Sequence, residues 1–182
     1  NTHHSTPPRW VASGRSASLV LIVGGVATTV SYSAGASNRT AAEVAAGLAQ
    51  QIDALAAVTT AETGKPITLS RNEINGLLPR IDFFLEQVAP SVSTETVFQD
   101  AAMTEQIQHV PLGVVVNISA WNYPWFVGGN VFIPALLTGN AVLYKPSEYA
   151  VMTGQAIARL MQEAGVPQDI FVLVVGAGEV GA

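Results

Sequence analysis

Three side chains in the second half of the chain have types and surroundings suited to chemistry: Asn122, Lys145 and Glu148. Asn122 stands in the polar-aromatic loop Trp121-Asn122-Tyr123-Pro124, just after the apolar run Val114 to Ile118. A fixed side-chain amide can donate a hydrogen bond to a developing oxyanion, as in acyl-transfer chemistry. Asn is also a common turn residue, and the residues alone leave both roles open. Lys145 closes a second apolar run, Ala141 to Tyr144, and opens Lys145-Pro146-Ser147-Glu148. A lysine at the carboxyl end of a strand can hold ribose hydroxyls or a phosphate, and a carboxylate three residues later can accept hydrogen bonds from a 2′,3′-diol. That carboxylate would repel a 2′-phosphate. The plain alternative is an ion pair between Lys145 and Glu148. A third cluster, Gly176-Ala177-Gly178-Glu179-Val180-Gly181, satisfies GxGxxG after an apolar run, a pattern that needs a flanking strand and helix to count as a dinucleotide fingerprint.

The elements that must position these residues follow from periodicity. Continuous apolar runs bounded by turn residues predict strands buried on both faces at Val114 to Ile118, Ala141 to Tyr144 and Phe171 to Val175. A helix-length segment separates the first two, so they form a βαβ unit, with Gly139-Asn140 as the turn into the second strand. Gly128-Gly129 would let the intervening helix pack closely on the sheet. In open α/β sheets ligands bind beyond the carboxyl ends of the strands, where Asn122 and Lys145 to Glu148 fall. Upstream, Val44, Leu48, Ile52, Leu55 and Val58 recur at helical spacing from Asn38 to Glu62, and Gly64-Lys65-Pro66 stops that helix with Lys65 facing water. A second helix runs from Ser70 to Val88, kinked or divided by Pro79 and closed by Pro90. Weak alternation from Ser91 to Val110 predicts a two-stranded ribbon with one wet face, His109 being exposed on it. Ser147 is a candidate cap for a helix over Val151 to Glu163.

Taken together, Ile118-Ser119-Ala120-Trp121-Asn122-Tyr123-Pro124, Pro134-Ala135-Leu136, Gly139-Asn140 and Lys145-Pro146-Ser147-Glu148 resemble the nucleotide-binding half of the NAD(P)-dependent aldehyde dehydrogenases. Glu62-Thr63-Gly64-Lys65-Pro66 matches that family's early Glu-x-Gly-Lys-Pro motif, and the resemblance runs from Arg39 to Ala182. It implies an α/β fold: a partial Rossmann-like dinucleotide-binding domain over 37–182 with a protruding ribbon, 91–110, that joins subunits into a homo-oligomer. It gives Asn122 the oxyanion role. Ile118, Ser119, Ala120, Trp121 and Asn122 would border the nicotinamide, with Trp121 and Trp125 either lining a substrate tunnel or covering the core. Lys145, Pro146, Ser147 and Glu148 would hold the cofactor ribose, and Gly178 would lie near the adenine end as a weaker contact. The implied cofactor is NAD, favoured by Glu148, with NADP as the other option. The implied substrate is an aldehyde oxidised to a carboxylic acid, in the cytoplasm. The family's nucleophilic cysteine and general-base glutamate would fall beyond residue 182, so these residues alone are expected to be inactive. A non-catalytic nucleotide-binding or subunit-interaction module is the alternative.

Composition narrows the classes further. The 182 residues are 49% hydrophobic and 12% charged, enough apolar content for a core. A net charge of −5 argues against nucleic acid as a partner. With no Cys, disulfides, thiolate metal sites and a cysteine nucleophile are absent from this stretch, and no metal is expected. Residues 1–36 are atypical of the resembling family, which usually carries an amphipathic helical region there. His3-His4 reads as a solvated pair rather than a metal site. Ala17 to Ala36 has no charge over twenty residues, long enough to span a bilayer. Its Gly, Ser and Thr content favours instead a strand-turn-strand about Gly24-Gly25. A start at Asn1 and an end inside a Gly-rich motif read as those of a fragment.

Overall fold

The computed structural model of the chain describes residues 16–23, 26–33 and 38–181. His3-His4, Gly24-Gly25 and Ala182 lie outside the described residues. The uncharged N-terminal segment forms an antiparallel pair, β1 (Ser16–Val23) and β2 (Val26–Ser33), in the strand-turn-strand form. Among the described residues no helix is long and apolar enough to cross a membrane.

Two long helices follow, α1 (Asn38–Thr63) and α2 (Ile67–Ser91). They pack against each other around the break at Gly64, whose φ of +73° is one that glycine adopts without steric cost. Val44, Leu48 and Leu55 of α1 are buried, as are Ile74, Leu77, Ile81 and Phe84 of α2, so the helical periodicity picked the right faces. Pro79 does not divide α2, which is continuous across it. Pro79 lies on the exposed side, where its lost hydrogen bond leaves a carbonyl facing water.

The ribbon is β3 (Glu95–Gln99) paired antiparallel with β4 (Thr104–Ile107), with a register shift between Thr96 and Phe98. Every residue of both strands is exposed, so neither face is the dry one expected from alternation. His109 is exposed but lies beyond β4, not in a strand.

The sheet that positions the site has three parallel strands in the order β5 (Val114–Ile118), β6 (Ala141–Lys145), β7 (Phe171–Leu173). Helix α3 (Pro124–Leu137) connects the first two and α4 (Val151–Glu163) the last two. Consecutive strand order with crossovers of one hand puts both helices on the same face. Helices α1 and α2 then stack on α3 and α4 as an outer layer. The core fills that side: Phe132, Tyr144 and Phe171 meet with ring centroids 5.3–5.7 Å apart. Strand β6 is buried at all five positions, as its apolar run predicts. Strand β5 is not: Val116 and Ile118 are each 57% exposed. With both crossover helices on one face, alternate β5 side chains point to the other, which β2 reaches at β6.

Two turns carry helix-stop chemistry. Gly139 (φ +82°) and Gly165 (φ +87°) end α3 and α4, with the next residue donating back five positions (Asn140 to Ala135 and Val166 to Met161). Asn140 also accepts from the Gly113 amide at 3.0 Å, tying the end of α3 to the start of β5.

Close approach at the start of α4 yields a test. A Cβ on Gly154 would sit 2.5 Å from Cγ of the Pro146 ring, which cannot swing away. Overpacking of this kind costs roughly 1–3 kcal/mol, against a helix-propensity gain of about 1 kcal/mol. Gly154→Ala is therefore expected to lower the urea midpoint, whereas Gly76→Ala, with open space at its Cβ, should raise it.

Candidate functional site

Strands β5 and β6 run parallel with Ile118 opposite Lys145, and Ser119 donates to the Lys145 carbonyl at 2.9 Å. The two loops that follow, 119–123 and 146–150, therefore leave the same edge of the sheet side by side. Asn122 is exposed at the first and its amide has no partner among the described residues. Glu148 is exposed at the second and touches only the Ser147 hydroxyl, at 3.3 Å. Parallel register is what brings these distant residues to one edge.

The structure separates the remaining candidates. Ile118 lies on the open face of the sheet and Ala120 and Trp121 are exposed. Trp121 is half exposed while Trp125 is fully buried, so the second tryptophan is core. Ser119 is buried, with a hydroxyl that finds no hydrogen-bond partner. Lys145 is also buried, its amine 3.3 Å from the Pro146 carbonyl and its chain running beneath Gly181. No ion pair joins it to Glu148. Pro146 is buried against Gly154. Ser147 does not cap α4: its hydroxyl accepts from the Tyr149 amide inside the turn, and the helix starts at Val151. Gly178 is exposed and opens a 3-10 turn, Gly178–Val180, where the Gly pattern predicts a helix. The described chain stops before any α-helix there. Gly129 packs against Leu77 of α2 rather than on the sheet, since α3 is sandwiched between the two.

Helices α3 and α4 both begin at this edge, and neither has a side-chain cap of its own. Orphan amides at a helix N-terminus need acceptors, and a carboxylate there also meets the positive end of the helix dipole. Both acceptors come from the α1–α2 hairpin. Glu73 of α2 accepts from the amides of Trp125 (2.7 Å) and Phe126 (3.0 Å). Glu62 of α1 accepts from the amides of Met152 (2.6 Å) and Thr153 (2.8 Å) and from the Thr153 hydroxyl (2.9 Å). Lys65 pairs with the second oxygen of Glu73 at 2.5 Å, and its amine lies 4.0 Å from the centroid of the Tyr123 ring. It does not face water as a helix-stop lysine would; its side chain is only 12% exposed because the Glu73 carboxylate is fully buried and needs a cation. Between the two carboxylates the Trp125 indole donates to Thr59 at 2.9 Å.

Neither Glu73 nor Thr59 stands out as a site residue in the sequence, and Glu62 enters it only as the first residue of the Glu-x-Gly-Lys-Pro motif. A signal existed for Glu73. It occupies the apolar stripe Ser70, Ile74, Leu77, Ile81, and a charge there implies a buried partner.

A profile of the family described as "Aldehyde dehydrogenase family" matches residues 31–182. The chain belongs to the aldehyde dehydrogenase family. It is 34% identical over 132 residues to the 3,6-anhydro-alpha-L-galactose dehydrogenase of Streptomyces coelicolor, a match covering 72% of this chain and 27% of that protein. Among solved structures it is similar to an NAD-dependent aldehyde dehydrogenase from Sinorhizobium meliloti (TM-score 0.71, 28% identity, 78% of this chain and 28% of that one). It is equally similar to an NADP-dependent enzyme of E. coli (TM-score 0.73, 29% identity, 79% and 30%). The chain thus spans little more than a quarter of the length of the curated relative. The three parallel strands and their helices agree with the partial Rossmann-like domain that the sequence implies.

Tyr144, beneath this edge, supplies a pH test. Burial pushes its phenol well above the ordinary value near 10; the Ser119 hydroxyl offsets part of this, and the Glu73 and Glu62 carboxylates add to it. The hydroxyl itself reaches no hydrogen-bond partner in good geometry. A raised folded-state pKa means that the stability it carries is intact below the unfolded value, about pH 10, and is lost as pH climbs through the folded value. Removing an unpaired buried hydroxyl is neutral or stabilising. Tyr144→Phe is expected to raise stability at pH 7 by up to about 1 kcal/mol and to flatten the alkaline fall in urea stability above pH 10.

Proposed function

We propose that this chain is the part of an aldehyde dehydrogenase that supplies the oxyanion donor and one side of the dinucleotide site, in an enzyme that oxidises an aldehyde to a carboxylic acid. The observation that carries the reading is the juxtaposition of Asn122 and Glu148 on loops leaving adjacent parallel strands, with the Asn122 amide free. An unpartnered amide is available to an oxyanion, and the start of α3 holds the backbone that carries it.

NAD fits this edge in part. Glu148 is open to accept hydrogen bonds from a ribose diol. Beside it, Ala120 and Trp121 are exposed and Ile118 leaves apolar surface open at the strand end. Pro146 and Ser147 shape the turn that presents Glu148, and Gly178 brings a side-chain-free turn near the same strand ends. Lys145 contributes to the diol only once its amine leaves the Pro146 carbonyl. When bound, the nicotinamide supplies the oxidant; this chain's residues orient it and hold the substrate oxygen through Asn122. NAD is preferred to NADP because Glu148 opposes a 2′-phosphate, although relatives of both kinds share the fold. The nucleophilic thiol must come from outside these 182 residues, which contain no Cys. The reading includes a cytoplasmic homo-oligomer: Val97, Phe98, Met103 and Ile107 leave apolar surface exposed along the two-stranded ribbon, and an isolated ribbon is marginal in water.

The test uses the protein as isolated from its source. NAD should bind, aldehyde should be oxidised, and Asn122→Ala should lower kcat by about 10²–10³-fold, the usual cost of one oxyanion donor. Glu148→Gln should weaken NAD binding by roughly tenfold or more, as loss of a charge-assisted hydrogen bond does. Binding without turnover would replace the reading with a nucleotide-binding module. Unchanged turnover in Asn122→Ala would remove the oxyanion role.

A further inference from the structure

The two loops of the site are fixed from outside the sheet, and from one place. Loop 119–123 ends where α3 begins, and the first free amides of α3 are taken by Glu73. Loop 146–150 ends where α4 begins, and the first free amides of α4 are taken by Glu62. Eleven positions separate the two glutamates, across the turn at Gly64-Lys65-Pro66. Neither helix has any other side-chain cap. Glu73 is further held by Lys65, whose amine also lies over Tyr123, the residue after Asn122.

We propose that Glu62 and Glu73 are positioning residues that set the two halves of the site separately: Glu73, with Lys65, places the Asn122 loop, and Glu62 places the Lys145–Glu148 loop. The α1–α2 hairpin thereby fixes the distance between oxyanion donor and cofactor ribose. This rests on the functional reading above for its catalytic meaning, and on the geometry alone for its structural part. A consequence is a division of labour. Disturbing Glu73 should act on the chemical step and disturbing Glu62 on cofactor affinity. A role in stability alone would move both together.

Hydrogen exchange and kinetics test this in the protein as isolated from its source. The variants are Glu73→Gln, Glu62→Gln and Lys65→Met, with Glu73→Asp as the charge-keeping control. Gln retains an acceptor and similar volume while the carboxylate's grip on two amides is weakened. In Glu73→Gln and Lys65→Met, segment 121–126 should exchange at least tenfold faster, with 150–154 unchanged. Glu62→Gln should show the converse. In turnover, Glu73→Gln should lower kcat with little change in the NAD constant, and Glu62→Gln should weaken NAD binding with kcat nearly kept. Glu73→Asp should recover part of the lost kcat. Equal loosening of both segments in either variant, or of neither, overturns the proposal. If the exchange pattern is as stated while Asn122→Ala leaves turnover untouched, the positioning stands and the catalytic reading is what fails.

Discussion

Two helices begin at the edge of the candidate site without a capping residue of their own, and most of the arrangement around them answers that deficit. A buried helix start with free amides is costly unless an acceptor reaches it. Here the acceptors are carboxylates on a separate pair of helices. Accepting two amides apiece, Glu73 and Glu62 gain from the dipoles of α3 and α4. Burial of Glu73 then demands a countercharge, and Lys65 provides it from the turn between α1 and α2. Cap, ion pair and hairpin turn form one chain of dependence, each step required by the electrostatics of the one before.

That chain also explains the layering. If α1 and α2 were only an apolar cover, their register against α3 and α4 would be set by Leu48, Ile74 and Leu77 and could slide by small steps. Polar contacts with fixed geometry, including the Trp125 indole on Thr59, remove that freedom. The site is thus a rigid edge: loops start from hydrogen-bonded parallel strands and finish in helices anchored by a second layer. The far face of the sheet has no such cover at β5, where Val116 and Ile118 stand open beside the strand ends.

The elements themselves were largely legible in the sequence. Apolar runs marked β5, β6 and β7, helical spacing marked the buried faces of α1 and α2, Gly64 marked the stop of α1, and Gly139-Asn140 marked the turn into β6. These are local signals, because backbone conformation and side-chain period are short-range properties. The motif order further placed the chain in its family, as the comparisons bear out. Errors fell where a residue's fate depended on what lay across space from it. Pro79 was free to stay inside α2 because its side faces water. Ser147 looked like a cap but serves a turn. Lys65 looked like a solvated helix stop and is a partly buried countercharge.

By itself, then, the sequence determined the strands, the helices, the turn glycines and the family. It also determined that Asn122 and Glu148 each follow a strand. Only the tertiary structure decided that the two loops share an edge, that Lys145 is folded under Gly181, and that the caps of α3 and α4 come from residues tens of positions upstream. The physical reason is range. Propensity and periodicity act within a turn or two of chain, whereas a buried carboxylate chooses its amides by position in space.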